Sequence, residues 1–125
     1  MLCPLKFALP TSWSTAPTRG SSAPFTRAFS AGSGGRCSVT PTLTSAAGVT
    51  LLFVQEEDYV SPVWPEEEGR QQKQVHFDFL VPDVAEAVAK AEALGGRKAD
   101  AQFGGEVFTT VLDPAGHPLC LVKEG

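Results

Sequence analysis

The sequence predicts an α+β domain whose clearest unit runs in the order β-α-β-β-β over residues 75–122. Three observations carry this. Val75-His76-Phe77-Asp78-Phe79-Leu80-Val81 alternates with the two-residue period of a strand. Asp83 to Gly96 has a helix start, an apolar stripe at helical spacing and a glycine stop. Two apolar runs then flank Asp113-Pro114-Ala115-Gly116, a tight-turn sequence in which Pro sets φ at the second position and Gly relieves the fourth.

Ahead of that unit, Val49-Thr50-Leu51-Leu52-Phe53-Val54 is a short β-branched and aromatic run after Gly48, which reads as a strand. Gln55 to Gln74 follows as a polar connector, broken by Pro62, Pro65 and Gly69 and carrying the acidic run Glu66-Glu67-Glu68, read as a solvated face. Connectors of this length are usually functional or mobile. Its two aromatics, Tyr59 and Trp64, either dock the loop onto the core or cover a pocket as a lid.

In the opening strand, Val75, Phe77, Phe79 and Val81 share the face expected to be core. His76, Asp78 and Leu80 share the other. A fully buried layer would not tolerate two unpaired polar groups there, so this second face is expected to border a hollow. Pro82 ends the strand. Asp83 is placed to cap the helix and Glu86 to complete a capping-box-like pair; Val84, Val88, Ala91 and Leu94 form the apolar stripe, with Glu86 and Lys90 outside. Gly95-Gly96 closes the helix. Arg97 to Ala101 reads as a short strand, Gly104-Gly105 as a turn, Glu106 to Leu112 as the next strand, and Leu119-Cys120-Leu121-Val122 as the closing one.

The 125 residues suit one domain, and with 42% apolar residues they supply a core. No apolar run approaches the roughly 20 residues that span a bilayer, so no membrane partner is expected. An acidic balance of −4 without a basic stripe argues against nucleic acid. Cys3, Cys37 and Cys120 are odd in number and lack metal-type spacing, which points to a reducing, cytoplasmic setting.

Charge is divided unevenly. Residues 1–55 hold no Asp or Glu and four bases, Lys6, Arg19, Arg27 and Arg36, whereas residues 56–125 hold all 14 acids and six bases. The first stretch is dense in Ser, Thr, Pro, Ala and Gly and sustains neither period for long. Such composition buries too little apolar surface to offset the entropy of ordering it. Residues 1–46 therefore read as a low-complexity, disordered tail or a transit peptide, and residues 47–125 as the domain, with 55–74 as its connector.

Gln74-Val75-His76-Phe77-Asp78, the Asp83–Gly96 helix with its Ala-Leu-Gly-Gly ending, and Asp113-Pro114-Ala115-Gly116-His117-Pro118 before Leu119-Cys120-Leu121-Val122 together resemble the vicinal-oxygen-chelate superfamily, the glyoxalase and bleomycin-resistance-like fold, and within it the small glyoxalase-like domain group. The resemblance covers residues 48–125. It implies two β-α-β-β-β modules with sheets curved around a shared cavity. The second module is complete in this sequence; the first lacks a recognisable strand and helix before Val49 and is truncated or miscoded. One account is a reading frame displaced by one nucleotide over residues 11–44. Thr11 to Gly34 then re-reads under GC-rich codons as a strand and helix ending in the F-Y-x-x-L-L-G-W pattern of a first module. The nucleotide sequence decides this. A product lacking that wall would be marginal, aggregation-prone, or dependent on pairing as a homodimer.

Catalytic members of the superfamily hold a divalent metal with His, Gln or Glu from the opening and closing strands of each module. By resemblance, His76 lies at an opening-strand ligand position, but the closing-strand Glu position falls at Cys120, a small hydrophobe by default. Leu51-Leu52-Phe53 offers no ligand. With one matching ligand, no metal or other cofactor and no catalytic residue is expected. The expected function is small-molecule binding in the sheet cavity, with His76, Asp78, Leu80, Cys120, Trp64 and Tyr59 as the cavity-facing residues. The alternatives are a metal-dependent lyase, isomerase or dioxygenase of the same superfamily, and an inactive product of a miscoded first module. His76 and Asp78 read either as an imidazole–carboxylate pair on the wall or as a polar pair tying the strand to its neighbours. His117 reads as a solvated turn residue. Gly32-x-Gly34-Gly35 has neither the strand before it nor the helix after it that a phosphate loop needs.

Overall fold

A computed structural model describes residues 6–11, 33–37, 40–44, 50–55 and 58–125, with side chains over 51–54 and 58–125. Strands β1 (Lys6–Thr11), β2 (Ser33–Cys37), β3 (Thr40–Thr44) and β4 (Thr50–Gln55) form one sheet in the order β1-β4-β3-β2. Strands β5 (Phe77–Val81), β6 (Arg97–Lys98), β7 (Phe108–Leu112) and β8 (Pro118–Lys123) form a second in the order β5-β8-β7-β6. Helix α1 (Val84–Ala93) follows β5. Both sheets share one pattern: the first strand pairs parallel with the last, and antiparallel neighbours complete the set. The order expected from residue 75 is present element by element. Three of its strands are shorter than expected, with β5 starting at Phe77, β6 only two residues long and Val107 exposed ahead of β7, whereas β8 is longer, from Pro118 to Lys123. No helix among the described residues is long and apolar enough to cross a membrane.

The first sheet differs from what composition suggests. Residues 1–46 read as a tail, yet β1, β2 and β3 fall within them. Backbone pairing needs no side-chain period: β1 lies in register with β4 from Lys6 opposite Thr50 to Thr11 opposite Gln55, and β2 with β3 from Ser33 opposite Thr44. Pro10 lies on β1, an edge strand, where a missing N–H is tolerated. The transit-peptide and reading-frame accounts turn largely on residues 12–32, which lie outside the described residues.

In the second sheet the alternation does what it predicts. Val81 of β5, Leu119 and Leu121 of β8, and Val111 of β7 pack with Ala87 and Ala91 of α1, and Phe77, Phe79, Val84, Val88 and Leu94 border them. A buried Leu or Val contributes about 1.5–3 kcal/mol, so this layer dominates the module's stability. A smaller cluster around Phe53, with Leu51, Val75 and Phe77, joins β4 to the approach of β5.

The helix is capped at both ends. Asp83 Oδ1 accepts from the Glu86 backbone N–H at 2.8 Å. At the other end Gly95 adopts φ +93°, and the Gly95 and Gly96 N–H groups donate to the Glu92 and Ala91 carbonyls, as in a Schellman closure. With α1 on one face of the sheet, the residues between the core positions point the other way. These are Asp78 and Leu80 on β5, Cys120 on β8 and Thr110 on β7.

Candidate functional site

The pairing register places three of these in a row. Asp78 is the parallel partner of Cys120, and Cys120 is the antiparallel partner of Thr110. His76, two residues before Asp78, joins them on the same face. Its Nε2 lies 3.1 Å from Asp78 Oδ1 and 3.3 Å from Cys120 Sγ. Cys120 Sγ also lies 3.5 Å from Thr110 Oγ1. The row is graded in exposure: Thr110 and Cys120 are buried, the His76 side chain is 27% exposed and that of Asp78 64%. Leu80 continues the exposed end at 66%.

Electrostatics follow from this placement. Burial pushes the Cys120 thiol up from its ordinary pKa, and the Asp78 carboxylate adds to the rise against a lowering contact from Thr110. This rise favours the protonated thiol. A second feature is His76 Nδ1, which is buried and has no hydrogen-bond partner among the described residues. The ring is held at its other nitrogen by Asp78 and Cys120 and across its face by Trp64.

The connector supplies the cover. Trp64 stacks on the His76 ring with centroids 6.3 Å apart, donates its indole N–H to the Ala101 carbonyl at 3.1 Å, and meets Phe103 edge-on at 5.8 Å. His76 precedes the strand at one edge of the sheet, and Ala101 and Phe103 follow the strand at the other. The indole thus bridges the two edges across the hollow face. Lys73 Nζ sits 5.2 Å over the same ring and pairs with Glu66, while Glu67 pairs with Arg70.

Tyr59 lies elsewhere. Its hydroxyl donates to the Ala115 carbonyl at 2.8 Å and stands 3.1 Å from His117 Nε2. Ser61 Oγ donates to the same carbonyl at 2.7 Å. His117 Nδ1 donates to Asp113 Oδ2 at 3.0 Å, and Asp113 Oδ1 accepts from the Ala115 and His117 backbone N–H groups. His117 is thus largely buried and fully engaged, a correction to its reading as a solvated turn residue: a partner 58 residues away in sequence claims it. Burial pushes the Tyr59 hydroxyl up to about 12, with the Asp113 charge adding to the rise against a lowering bond from Ser61. Gly116 makes the junction close, since its φ is +89° and a Cβ there would stand 2.9 Å from Ser61.

Sequence reasoning had no signal for Thr110 or Gln102. The Gln102 side chain acts as a strand beyond the end of β6, accepting from the Thr110 N–H at 2.8 Å and donating to the Thr110 and Ala99 carbonyls. An open cleft of about 280 Å³ also lies between the end of β5 and the first turns of α1, lined by Leu80, Pro82, Asp83, Glu86, Ala87 and Lys90. Asp83 is committed there to the helix cap, so the histidine, carboxylate and thiol of the hollow face, not this cleft, carry the candidate chemistry.

The fold and these residues define a glyoxalase-like module. The sequence matches the glyoxalase-like domain family over residues 11–122, and the chain belongs to that family, within the vicinal-oxygen-chelate superfamily. Among solved structures, a glyoxalase/bleomycin resistance protein from Albidiferax ferrireducens T118 is 12% identical, with 96% of this chain and 97% of that chain covered and a TM-score of 0.61. A gene product from Arabidopsis thaliana is 18% identical, covering 98% and 99%, with a TM-score of 0.60. A protein from Agrobacterium tumefaciens, solved by NMR in solution, is 19% identical, covering 100% and 99%, with a TM-score of 0.59. At these identities the likeness establishes the fold. No curated protein matches the sequence.

The metal of the superfamily's catalytic members does not fit the donors present. Among the described residues, the opening-strand position holds His76 but the closing-strand position holds the Cys120 thiol, and the corresponding stretch of β4 presents Leu51, Leu52 and Phe53. Of the superfamily's ligand positions among the described residues, His76 alone offers a ligand of that kind, so its four-position set cannot be assembled here.

Proposed function

We propose that the protein binds a small, planar molecule on the hollow face of its second sheet, beside Trp64 and above Asp78 and Leu80, without the four-ligand metal of its catalytic relatives. The observation that supports this reading is the combination on one exposed sheet face of an accessible carboxylate, an apolar side chain and an indole stacked on His76. Leu80 and the indole offer apolar area to a flat ring, and Asp78 accepts a hydrogen bond from it, which favours a ligand bearing an amine or amidinium over one bearing a carboxylate.

Titration of a Trp13→Phe variant, in which Trp64 alone fluoresces, tests this directly. Benzamidine and its naphthyl homologue are expected to change the emission saturably, with benzoate weaker by about tenfold, the worth of one charge-assisted hydrogen bond. Asp78→Asn should erase that preference. Equal response to amidine and carboxylate, or none to either, overturns the reading.

A further inference from the structure

We propose that Gln102 is the positioning residue of the Trp64 cover: its side-chain amide, wedged into the pairing of β6 with β7, holds the Ala101 carbonyl where the indole N–H reaches it. This rests on the reading of Trp64 as part of the ligand site and names the residue that places it.

The strand register shows what the amide displaces. Arg97 stands opposite Leu112 and Lys98 opposite Val111. Continued unchanged, that register sets Ala99 against Thr110 and Ala101 against Phe108. Hydrogen-bonded pairs alternate along an antiparallel ladder. The Ala99 N–H does donate to the Thr110 carbonyl, at 3.0 Å, so Ala101 would be next to bond and would give its carbonyl to Phe108. The return bond from Thr110 to Ala99 is replaced. Gln102 Nε2 donates to the Ala99 carbonyl at 2.7 Å, and its Oε1 accepts from the Thr110 N–H at 2.8 Å. Nε2 also donates to the Thr110 carbonyl at 2.8 Å.

The wedge turns the chain off the strand path. The Ala101 carbonyl then accepts from the Trp64 indole at 3.1 Å, and Phe103 meets the same ring edge-on. Gly104 completes the loop: a Cβ there would stand 2.2 Å from the Phe108 carbonyl oxygen, so a side chain would push the loop away from β7. Thr110 is buried, with its hydroxyl 3.5 Å from Cys120 Sγ, so the amide joins the anchor of the cover to the floor of the hollow face. Without the amide, the Ala99 carbonyl and the Thr110 N–H can bond directly. The sheet then keeps its hydrogen bonds, and Ala101 is drawn toward Phe108 and away from the indole.

The test uses the full chain carrying Trp13→Phe, without ligand. Gln102→Leu is expected to shift the Trp64 emission to the red and to increase its quenching by acrylamide. Gln102→Glu keeps the acceptor for Thr110 but sets a negative charge against two carbonyls, and should act in the same direction; it serves alone where Gln102→Leu does not fold. Ala87→Gly, in the interior of α1, lowers the urea midpoint at a distance from the loop and should leave emission and quenching unchanged. By calorimetry, Gln102→Leu should weaken benzamidine binding about tenfold, the worth of one hydrogen bond. In a Trp64→Phe background, where no indole N–H seeks Ala101, it should weaken binding no further. Unshifted emission in both Gln102 variants, an equal shift in Ala87→Gly, or the same loss of affinity in the Trp64→Phe background overturns the proposal. Failure of the parent chain to bind benzamidine overturns the ligand reading instead, and the ligand-free fluorescence still decides the role of Gln102.

Discussion

The molecule contains two histidine–aspartate pairs built to opposite plans. At the β7–β8 turn, His117 and Asp113 are buried together, and the carboxylate accepts three hydrogen bonds, two from backbone N–H groups and one from the ring. The far side of the ring meets the Tyr59 hydroxyl, which ties the connector to the turn. On the hollow face, His76 and Asp78 are about as close, at 3.1 Å, but the carboxylate is largely in water and one ring nitrogen is buried without a partner among the described residues. The first pair is satisfied by the fold itself. The second has donor atoms to spare, converging on a thiol. Pair geometry alone does not distinguish structure from function; the account of who satisfies each polar atom does.

Removing the carboxylate of the buried pair should have the largest effect. Asp113→Ala leaves two backbone N–H groups and the Nδ1 of His117 without their partner and is expected to cost about 3 kcal/mol, allowing about 1.5–3 kcal/mol for each hydrogen bond to a charged group and strong non-additivity. Urea unfolding measures it, and a loss comparable to that of an exposed site would break the comparison. Tyr59→Phe keeps the ring packing and deletes only the hydroxyl, so about 1 kcal/mol is expected in the same assay.

The pH dependence sharpens the point. Tyr59 is the sole tyrosine, so tyrosinate absorbance reads it directly. Its hydroxyl is raised to about 12 in the folded chain, from an ordinary value of 10. The folded state therefore keeps a proton that the unfolded state releases between these values. This contribution to stability is whole below pH 10 and is lost as the pH rises toward 12. Unfolding midpoints measured across that window should fall more steeply in the wild-type chain than in Tyr59→Phe. The smallest effect is expected at the open pair: Asp78→Asn should stay within about 0.5 kcal/mol of wild type, as exposed ion pairs do. A large loss there would mean that the hollow-face pair is structural after all.

Much of the second module is legible one residue at a time. The alternation of Phe77, Asp78, Phe79, Leu80 and Val81 reproduces the observed burial pattern, and Asp83 and Gly95 occupy the cap positions that their chemistry suits. The closing turn forms where Asp113-Pro114-Ala115-Gly116 stands, with the Gly116 N–H donating to the Asp113 carbonyl at 2.9 Å. In the first sheet only β4 was legible, from the run Val49 to Val54; β1 to β3 are joined by backbone pairing, and their residues follow no side-chain period. Composition separates residues 1–46 from the rest of the chain but does not tell a poor strand from no strand.

Local pattern by itself determined which residues of the second module lie under α1, where that helix starts and stops, and which face is left for function. Those features depend on neighbours within a turn or a strand, where covalent geometry sets the distances. Only the tertiary structure decided that His76 would meet Cys120, 44 residues later, and that Tyr59 would close on His117. Such meetings depend on the register of a parallel strand pair and on where a long connector lands. Cooperative packing of the whole module settles both, and no short stretch of sequence encodes either one.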